Sequence, residues 1–411
     1  MNFSDNAMTA ILLCSYLGIS NEDTLKPLTM KEWNEFLDNV TQHGEQPSVV
    51  IHSDTNFFKE TGYNQEFTER MKKLLSRGGA IAFALDELTK KGIDIVTLFD
   101  HDYPKLLKRK LKRKSPPVLF YSGDISLAQK IGIGIVGSRN IDEDGIRFTQ
   151  KLVEKAASER LIIYSGGAKG IDSTSEKAAV ESGSAAVSFI ADSLLSKIRK
   201  KDILDSIINK KQLLFSDVKP DVGFSAARAM NRNKYIYASS YGTFVVASDY
   251  NKGGTWTGAA EALKKEWTKV FVWNHKEYNG NQKLIEKGGI PYVLSESSIF
   301  ERITKKEENF QQMDLFSFAS KQENIQKSSI QEIENKNEEL EKQHVLTNST
   351  DLYPIIAPYI VEHIGEGMTK DEAAETFHVA KGQMNIWLKQ LCQDSQLQYV
   401  NGRYTTLPSL R

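Results

Sequence analysis

The chain has 411 residues, of which 40% are hydrophobic and 26% are charged, and its 53 basic residues balance its 53 acidic ones. This length predicts two or three domains with full-sized cores. The neutral balance excludes a globally basic DNA-binding protein, so a nucleic-acid site must be a local cluster of cations.

Four segments differ in the spacing of their apolar residues. Residues 1–92 have helical periodicity and predict a helical N-terminal domain. Residues 93–300 alternate short β-branched runs with helical stretches, which predicts a doubly wound, Rossmann-like and mostly parallel α/β sheet. Residues 301–350 are highly charged and contain neither Gly nor Pro, so we predict a polar linker. Residues 351–411 predict a winged-helix-like domain, because helices precede a hairpin signal at residues 401–402.

Six strands and three long helices are predicted within the α/β segment. The strands are residues 132–136, 161–164, 185–190, 212–215, 243–247 and 269–273. The helices are residues 145–158, 172–182 and 255–267. A sheet of this class binds ligands at the carboxyl ends of its strands, so the residues that follow each strand are the candidates for chemistry.

The first glycine-rich loop follows the first of these strands. Gly132, Gly134 and Gly137 have the spacing of a dinucleotide fingerprint, but the first two lie inside the strand, so we reject that interpretation. We predict instead that Gly137 lets the backbone approach a phosphate, which Ser138 and Arg139 then contact. The alternative is a tight turn that carries a surface arginine.

The second loop, residues 165–172, reads Ser-Gly-Gly-Ala-Lys-Gly-Ile-Asp. Its glycines predict a nest of backbone N–H groups at a helix N-terminus, which favours anions. We predict that Asp172 is the N-cap of the following helix rather than a catalytic group.

Two further segments add polar and basic groups. Residues 252–260 begin Lys-Gly-Gly-Thr, where Thr255 either caps a helix or binds a phosphate. Residues 228–234 contain two arginines, a lysine and two asparagines, which resembles a stretch that grips a nucleic-acid backbone more than a packed helix face. The alternative is a solvated basic turn.

These segments give one set of predicted phosphate contacts and one set of aromatic candidates for base stacking. The predicted phosphate contacts are Gly137, Ser138, Arg139, Ser165, Gly166, Gly167, Lys169, Gly170, Arg228, Asn231, Arg232, Lys252, Gly253, Gly254 and Thr255. The aromatic candidates are Phe224, Tyr235, Tyr250 and Trp256. Seven cations within residues 105–114 either extend the phosphate track or form a solvated helix face.

The loops together resemble those of the DprA/Smf family of DNA-processing proteins. Residues 92–97, 102–104 and 116–123 resemble the family's entry into its Rossmann-like domain, and residues 281–289 its closing signature. The resemblance covers about 200 residues. It implies single-stranded DNA binding, homodimerisation and delivery of a RecA-type recombinase onto DNA during transformation, recombination or repair.

The alternative is a nucleotide-binding sensor or nucleotide-processing enzyme of the related LOG group, with a task such as phage defence. Glu261 would then be a catalytic acid or a ribose ligand. No nucleophile–base pair, metal cluster or pair of carboxylates surrounds the loops in the sequence, so we expect a binding protein rather than an enzyme.

A short peptide in the linker resembles the segment that binds the bacterial sliding clamp. Gln312, Leu315 and Phe316 have its spacing, and the two apolar side chains would enter a hydrophobic pocket of the clamp. The alternative is a linker pair that covers the neighbouring domain. The winged-helix-like segment carries more acids than bases, which favours a protein contact over reading of duplex DNA.

The sequence also predicts a cytoplasmic protein without membrane association. No apolar run reaches the roughly 20 residues that cross a bilayer, and the N-terminus lacks the basic start of a secretory signal. Cys14 and Cys392 offer neither a disulfide framework nor zinc spacing. We therefore expect neither a metal nor another cofactor.

Overall fold

The computed structural model describes residues 3–20, 24–52, 57–58, 61–304, 357, 360–361, 364, 367–377, 379, 381–394, 397–400 and 402–406. These residues fall into two compact units that separate within residues 305–356. Among them, no helix has both the length and the apolar character that crossing a membrane requires. The domain limits predicted from the sequence stay predictions.

The N-terminal region is helical and has its own apolar core. Its helices are α1 (Asp5–Cys14), α2 (Met30–Gln42), α3 (Val49–His52), α4 (Gln65–Leu75) and α5 (Gly78–Lys90). A capping box starts α2, because Thr29 accepts from the N–H of Glu32 while the Glu32 side chain accepts from the N–H of Thr29. Trp33 and Phe36 then point inward one turn apart and are fully buried. This core is continuous with one face of the strands at the sheet edge.

Nine strands form one twisted sheet. They are β1 (Asp94–Thr97), β2 (Val118–Gly123), β3 (Gly132–Val136), β4 (Ile162–Ser165), β5 (Ala186–Phe189), β6 (Gln212–Ser216), β7 (Gly242–Val245), β8 (Lys269–Trp273) and β9 (Ile290–Tyr292). Their order is β1-β2-β6-β5-β4-β3-β7-β8-β9. The first two strands run antiparallel to their neighbours, and the seven from β6 to β9 are parallel.

Helices cover both faces of the sheet. The remaining helices of this unit are α6 (Lys105–Leu111), α7 (Glu143–Ser158), α8 (Ile171–Glu181), α9 (Leu194–Ile198), α10 (Lys201–Ile208), α11 (Ala226–Ser239), α12 (Gly253–Lys265), α13 (Asn279–Glu286) and α14 (Ile299–Thr304). One face packs on α7, α8 and α14, and the other packs on α6, α11 and α12. The chain enters the parallel sheet at β3, proceeds to β6 on one side, and then restarts at β7 on the other. The sheet therefore has a topological switch point between β3 and β7.

The fold class predicted from the sequence is confirmed, and all six predicted strands are present within one or two residues of their expected bounds. Three strands were not predicted, namely β1, β2 and β9. The two glycines of the rejected dinucleotide fingerprint do lie inside β3. Gly134 faces the Thr243 and Ser240 side chains so closely that no Cβ would fit there, which gives this glycine a packing role.

The C-terminal unit consists of two described helices and a hairpin. These elements are α15 (Lys370–Thr376), α16 (Lys381–Gln393), β10 (Leu397–Val400) and β11 (Arg403–Thr406). The two strands pair antiparallel across the predicted turn, where Gly402 has a φ of +84°. Thr369 caps α15, and Arg403 of the hairpin contacts Glu372 of that helix. The order of two helices and then a hairpin agrees with the prediction, and the winged-helix assignment itself stays a prediction.

Candidate nucleic-acid interface

A cleft of about 370 Å³ opens at the switch point between β3 and β7. The loops that leave these neighbouring strands diverge there, which is where open α/β sheets bind ligands. The predicted contact residues that line the cleft are Gly137, Ser138, Arg139, Arg232, Lys252, Gly253, Gly254 and Thr255. The predicted residues that do not line it are Ser165, Gly166, Gly167, Lys169, Gly170, Arg228 and Asn231.

The loop after β3 forms one wall of the cleft. Gly137 packs against Ile171 so closely that a Cβ would overlap that side chain. The Ile171 N–H donates to the Ser138 carbonyl at 3.2 Å, which ties this loop to the start of α8. Arg139 is exposed at the rim, and its guanidinium carbon lies 5.0 Å from the centre of the Phe224 ring. A cation and an aromatic face are thus presented together, as a phosphate and its base require.

The loop between β7 and α12 forms the opposite wall. The Thr255 hydroxyl donates to the Gly137 carbonyl at 3.0 Å, so the two walls are joined directly. Among the described side chains, none caps the first turn of α12 with a hydrogen bond, which leaves the N–H groups of that turn for an anion. Lys252 and Gly253 are exposed at this helix start. This wall therefore offers a lysine and a helix N-terminus.

The loop after β4 differs from its prediction. Gly167 and Gly170 have φ angles of +65° and +80°, as a glycine loop requires. However, the Gly167 N–H donates to the Glu176 carboxylate at 2.7 Å, and the Ala168 N–H is bonded to Asp172. The predicted anion nest is therefore filled by the protein's own carboxylates. Asp172 is also not the N-cap, because α8 begins at Ile171 and Gly170 occupies that position.

Two other groups of this loop, the Ser165 hydroxyl and the Lys169 side chain, lie in different environments. The Ser165 hydroxyl is fully buried and donates to the Ile135 carbonyl at 2.8 Å, so it joins two strands instead of facing a ligand. Lys169 is exposed and carries the loop's charge to the surface. The loop contributes a cation and its shape, while the amides of Gly167 and Ala168 are used internally.

Residues 228–234 are part of helix α11, so they do not form the solvated basic turn that was the alternative interpretation, and their contact with a nucleic-acid backbone stays a prediction. Asn231 is exposed on this helix. Arg228 is half-buried, and its guanidinium donates to the Gly223 carbonyl at the start of the helix. Arg232 points into the protein and is only 4% exposed. Arg228 therefore bonds to the backbone just before its own helix, whereas Arg232 lies in the interior of the protein.

Arg232 holds the loop after β4 in place through hydrogen bonds from the interior of the protein. Its guanidinium donates to the carbonyl oxygens of Gly166, directly after β4, and of Phe189, the last residue of the neighbouring β5. Gly166 has no room for a Cβ, because the Arg232 guanidinium and the Asp172 carboxylate occupy that space. Arg232 is therefore a positioning residue that shapes the cleft floor more than it presents charge to a ligand.

The four aromatic candidates divide by burial. Phe224 is 54% exposed and Tyr250 is 44% exposed, so both rings are accessible from solvent. Tyr235 and Trp256 are buried in the core of the sheet. Tyr250 stands edge-on to Trp256 with ring centres 5.0 Å apart, so the core supports the exposed ring. Two of the four are therefore candidates for base stacking.

A sequence model of the DNA recombination-mediator protein A family matches residues 94–304, slightly more than half of the chain. The chain belongs to this family. The match begins with β1 and ends with α14, so it covers the whole sheet and both walls of the cleft. The family resemblance indicated by the loop residues is confirmed.

Two curated bacterial proteins and one crystal structure are similar to this family member. The DNA processing protein DprA of Bacillus subtilis is 27% identical over 229 residues, which cover 54% of this chain and 75% of that protein. The DNA processing protein DprA of Streptococcus pneumoniae is 28% identical and covers 38% of this chain and 55% of that protein. The crystal structure of DNA processing protein A from Streptococcus pneumoniae has a TM-score of 0.54 at 20% identity, covering 71% of this chain and 95% of that one. This structural likeness shows the fold.

The basic segment before β2 lies within the family domain and is partly occupied by internal contacts. Lys108 donates to the Leu98 carbonyl at 2.6 Å, and Arg113 pairs with Asp38 of α2. Lys110 donates to the Ser240 carbonyl at 2.7 Å. The exposed cations of the segment are Lys105, Lys108, Lys112, Arg113 and Lys114. Its extension of the phosphate track stays a prediction.

Glu261, the acid of the alternative enzyme hypothesis, is exposed on α12 and does not line the cleft. The carboxylates that do line it are Asp172 and Asp249. Across the described residues, no group of three or more His, Cys, Asp or Glu side chains is arranged to hold a metal ion. Glu261 is therefore not among the residues that a ligand in this cleft would contact directly.

The buried carboxylates predict a pH dependence of stability. Burial raises the pKa of Glu176 to about 7 and that of Asp172 to about 6. Because the folded state then binds protons more tightly than the unfolded state, the free energy of unfolding decreases as the pH rises from about 4.5 to about 7. Glu176→Gln keeps an acceptor for Gly167 and should remove a pH-dependent loss on the order of 3 kcal/mol.

Urea unfolding of the wild type and Glu176→Gln at acidic and mildly alkaline pH measures this effect. We expect the variant to gain stability relative to the wild type as the pH rises. Glu181→Gln, an exposed substitution on the same helix, is the matched control and should follow the wild type. An identical pH dependence for wild type and Glu176→Gln would show that Glu176 does not titrate in this range.

Proposed function

We propose that this protein binds single-stranded DNA in the switch-point cleft and assists the loading of a RecA-type recombinase during DNA uptake, recombination or repair. Family membership supports a role in recombination, as the family's description states. The observation that carries the proposal is a cation over an exposed aromatic ring at the rim of the cleft, where the guanidinium carbon of Arg139 lies 5.0 Å from the centre of the Phe224 ring. Lys252 lines the same cleft and lies two residues from the exposed Tyr250 in the sequence.

Single strands fit this site better than duplexes do. Stacking on an aromatic side chain requires an unpaired base with an open face, and Phe224 and Tyr250 offer such platforms. Arg139 and Lys252 are exposed and line the cleft, and Lys169 is exposed on the loop after β4, so these cations supply the charge that a strand's phosphates require. The N-terminus of α12 adds a helix dipole to the same rim. The neutral overall charge makes such a local site necessary.

Titration of labelled oligo-dT and of duplex DNA at two salt concentrations tests the proposal. We expect tighter binding of the single strand, with an affinity that falls as salt rises because counterions are released. A nucleotide-hydrolysis assay runs in parallel on the wild type and on Glu261→Ala. Equal affinity for duplex and single strand would contradict the proposal, and so would nucleotide turnover that Glu261→Ala abolishes.

The proposed partners are a recombinase, a second copy of the chain and the sliding clamp. The first two are implied by the family resemblance. The clamp peptide, with Gln312, Leu315 and Phe316, lies outside the described residues and stays a sequence prediction. Cytoplasmic location and the absence of catalysis also stay predictions.

A further inference from the structure

A second groove of about 530 Å³ lies on the same compact unit as the cleft. Its described lining comes on one side from residues 16, 19–20 and 25–26, which follow α1, and on the other side from Lys219 and its neighbours after β6 and from Arg228 of α11. We call it the outer groove. Nothing in the resemblance or in the first cleft accounts for it.

The outer groove lies at the same edge of the sheet as the cleft. Strand β6 is parallel to β3, so the loop that follows it leaves from the carboxyl edge, as the cleft loops do. Helix α11 and its preceding loop border both sites: Val222 and Arg228 line the groove, whereas Ala229 and Met230 line the cleft. Phe224 lies in sequence between the groove's Val222 and Arg228, and it is exposed. The two sites therefore border the same helix and the loop before it.

The chemistry of the outer groove repeats that of the cleft. Its described lining contains three cations, Lys26, Lys219 and Arg228, against one anion, Asp221, which pairs with Lys219 at 3.2 Å. Tyr16 is 51% exposed and presents an aromatic ring on the opposite wall. Cations around an open ring are what a nucleotide strand requires, since one group receives the phosphate and the other stacks on the base.

Hydrogen bonds hold described residues of both walls, so these parts of the groove are formed before any ligand arrives. Arg77 is 8% exposed and donates to the Leu17 carbonyl at 2.6 Å, which fixes the turn beside Tyr16. On the other wall, the Pro220 carbonyl accepts from the Ser193 hydroxyl at 2.9 Å. A preformed groove costs less conformational entropy on binding.

We propose that the outer groove binds a further part of the same DNA single strand, which leaves the cleft past Phe224 and continues between Tyr16 and Lys219. This inference rests on the proposed function. It assigns to the N-terminal helical region a direct contact with DNA, and it makes affinity depend on strand length.

The test compares oligo-dT of about 6 nucleotides with oligo-dT of about 20 nucleotides on the full chain. The wild type should bind the longer strand at least about tenfold more tightly. The double variant Tyr16→Ala with Lys26→Glu should lose about tenfold in affinity for the longer strand and stay within about twofold of wild type for the shorter one. Phe83→Ala with Lys73→Glu is the matched control, because both residues are exposed in the same helical region and neither lines the groove.

Each outcome decides between the two proposals. Unchanged affinity of the double variant for the longer strand overturns the outer groove and leaves the cleft intact, provided that the short strand binds. Failure of the wild type to bind either strand overturns both. An equal loss in the Phe83 and Lys73 control removes the outer groove as the cause. Photo-crosslinking of the longer strand, mapped to its peptide, gives a second measurement on unmutated protein, and crosslinks near Tyr16 are expected.

Discussion

Replacing Arg232 by alanine is expected to lower the free energy of unfolding by about 3–5 kcal/mol. The guanidinium is almost fully buried, and it satisfies the carbonyl oxygens of Gly166 and Phe189. Its charge also opposes the cost of burying the Asp172 carboxylate. Removal leaves two carbonyls without their donor and a buried carboxylate without its neighbouring cation. Urea denaturation measures the loss.

Arg199→Ala is the control, because Arg199 is exposed in the same unit and its removal should change stability by less than about 0.5 kcal/mol. The loop that Arg232 supports also borders the cleft, so single-strand affinity should fall in Arg232→Ala even where the protein is folded. A loss below about 1 kcal/mol would show that the buried charges relax without Arg232.

Arg139→Ala is expected to weaken single-strand binding by about tenfold or more while the free energy of unfolding stays within about 0.5 kcal/mol of the wild type. Arg139 is exposed at the rim, so its removal opens no cavity. It removes one phosphate contact and the cation over Phe224. The dependence of log affinity on log salt should become shallower by about 0.7, the value for one phosphate contact on a single strand.

Fluorescence anisotropy at several salt concentrations measures both quantities. Arg147→Ala is the matched control, since Arg147 is equally an exposed arginine of the family domain but pairs with Asp144 on α7 and does not line the cleft. If Arg139→Ala and Arg147→Ala change the affinity and the salt dependence equally, the effect is one of general charge, and the assignment of Arg139 to the cleft fails.

The fold was largely predictable because buried parallel strands are continuous apolar runs. Strand β3 has that pattern, and its predicted bounds agree with the structure. Strand β1 was not predicted, because its four residues gain a sheet only by pairing with β2. Strand β2 in turn pairs with β6, which is distant in the sequence. The edge strand β1 and its neighbour β2 therefore depend on tertiary contacts that local patterns do not contain.

The site was predictable to the extent that glycines and cations mark strand ends. Arg139 and Lys252 do line the cleft. The burial of Arg232 was not predicted, although the spacing of its apolar neighbours contained a signal. Ala229 lies three residues before Arg232 and Ile236 lies four residues after it, and both are buried. That spacing places the arginine on the inward face of a helix. The many charged and polar residues of this stretch made the helical spacing of its buried residues hard to recognise in the sequence.

The filled nest of the second loop was beyond sequence reasoning. Three glycines after a strand indicate amides that are free to bind anions. Glu176 lies about one and a half turns into α8, and its carboxylate accepts a hydrogen bond from the Gly167 N–H. This contact requires the first turns of the helix to pack against the loop that precedes them. Only the positions of both elements in space reveal that the protein supplies its own anion.

The hydrogen bond from Thr255 to Gly137 joins residues that lie 118 positions apart in the chain. During synthesis, the first wall of the cleft emerges from the ribosome long before the second. A nascent chain that ends before α12 has the β3 loop and Arg139 but no opposing wall and no free helix N-terminus. The proposed binding site is therefore complete only after most of the family domain, which extends over residues 94–304, has been synthesised.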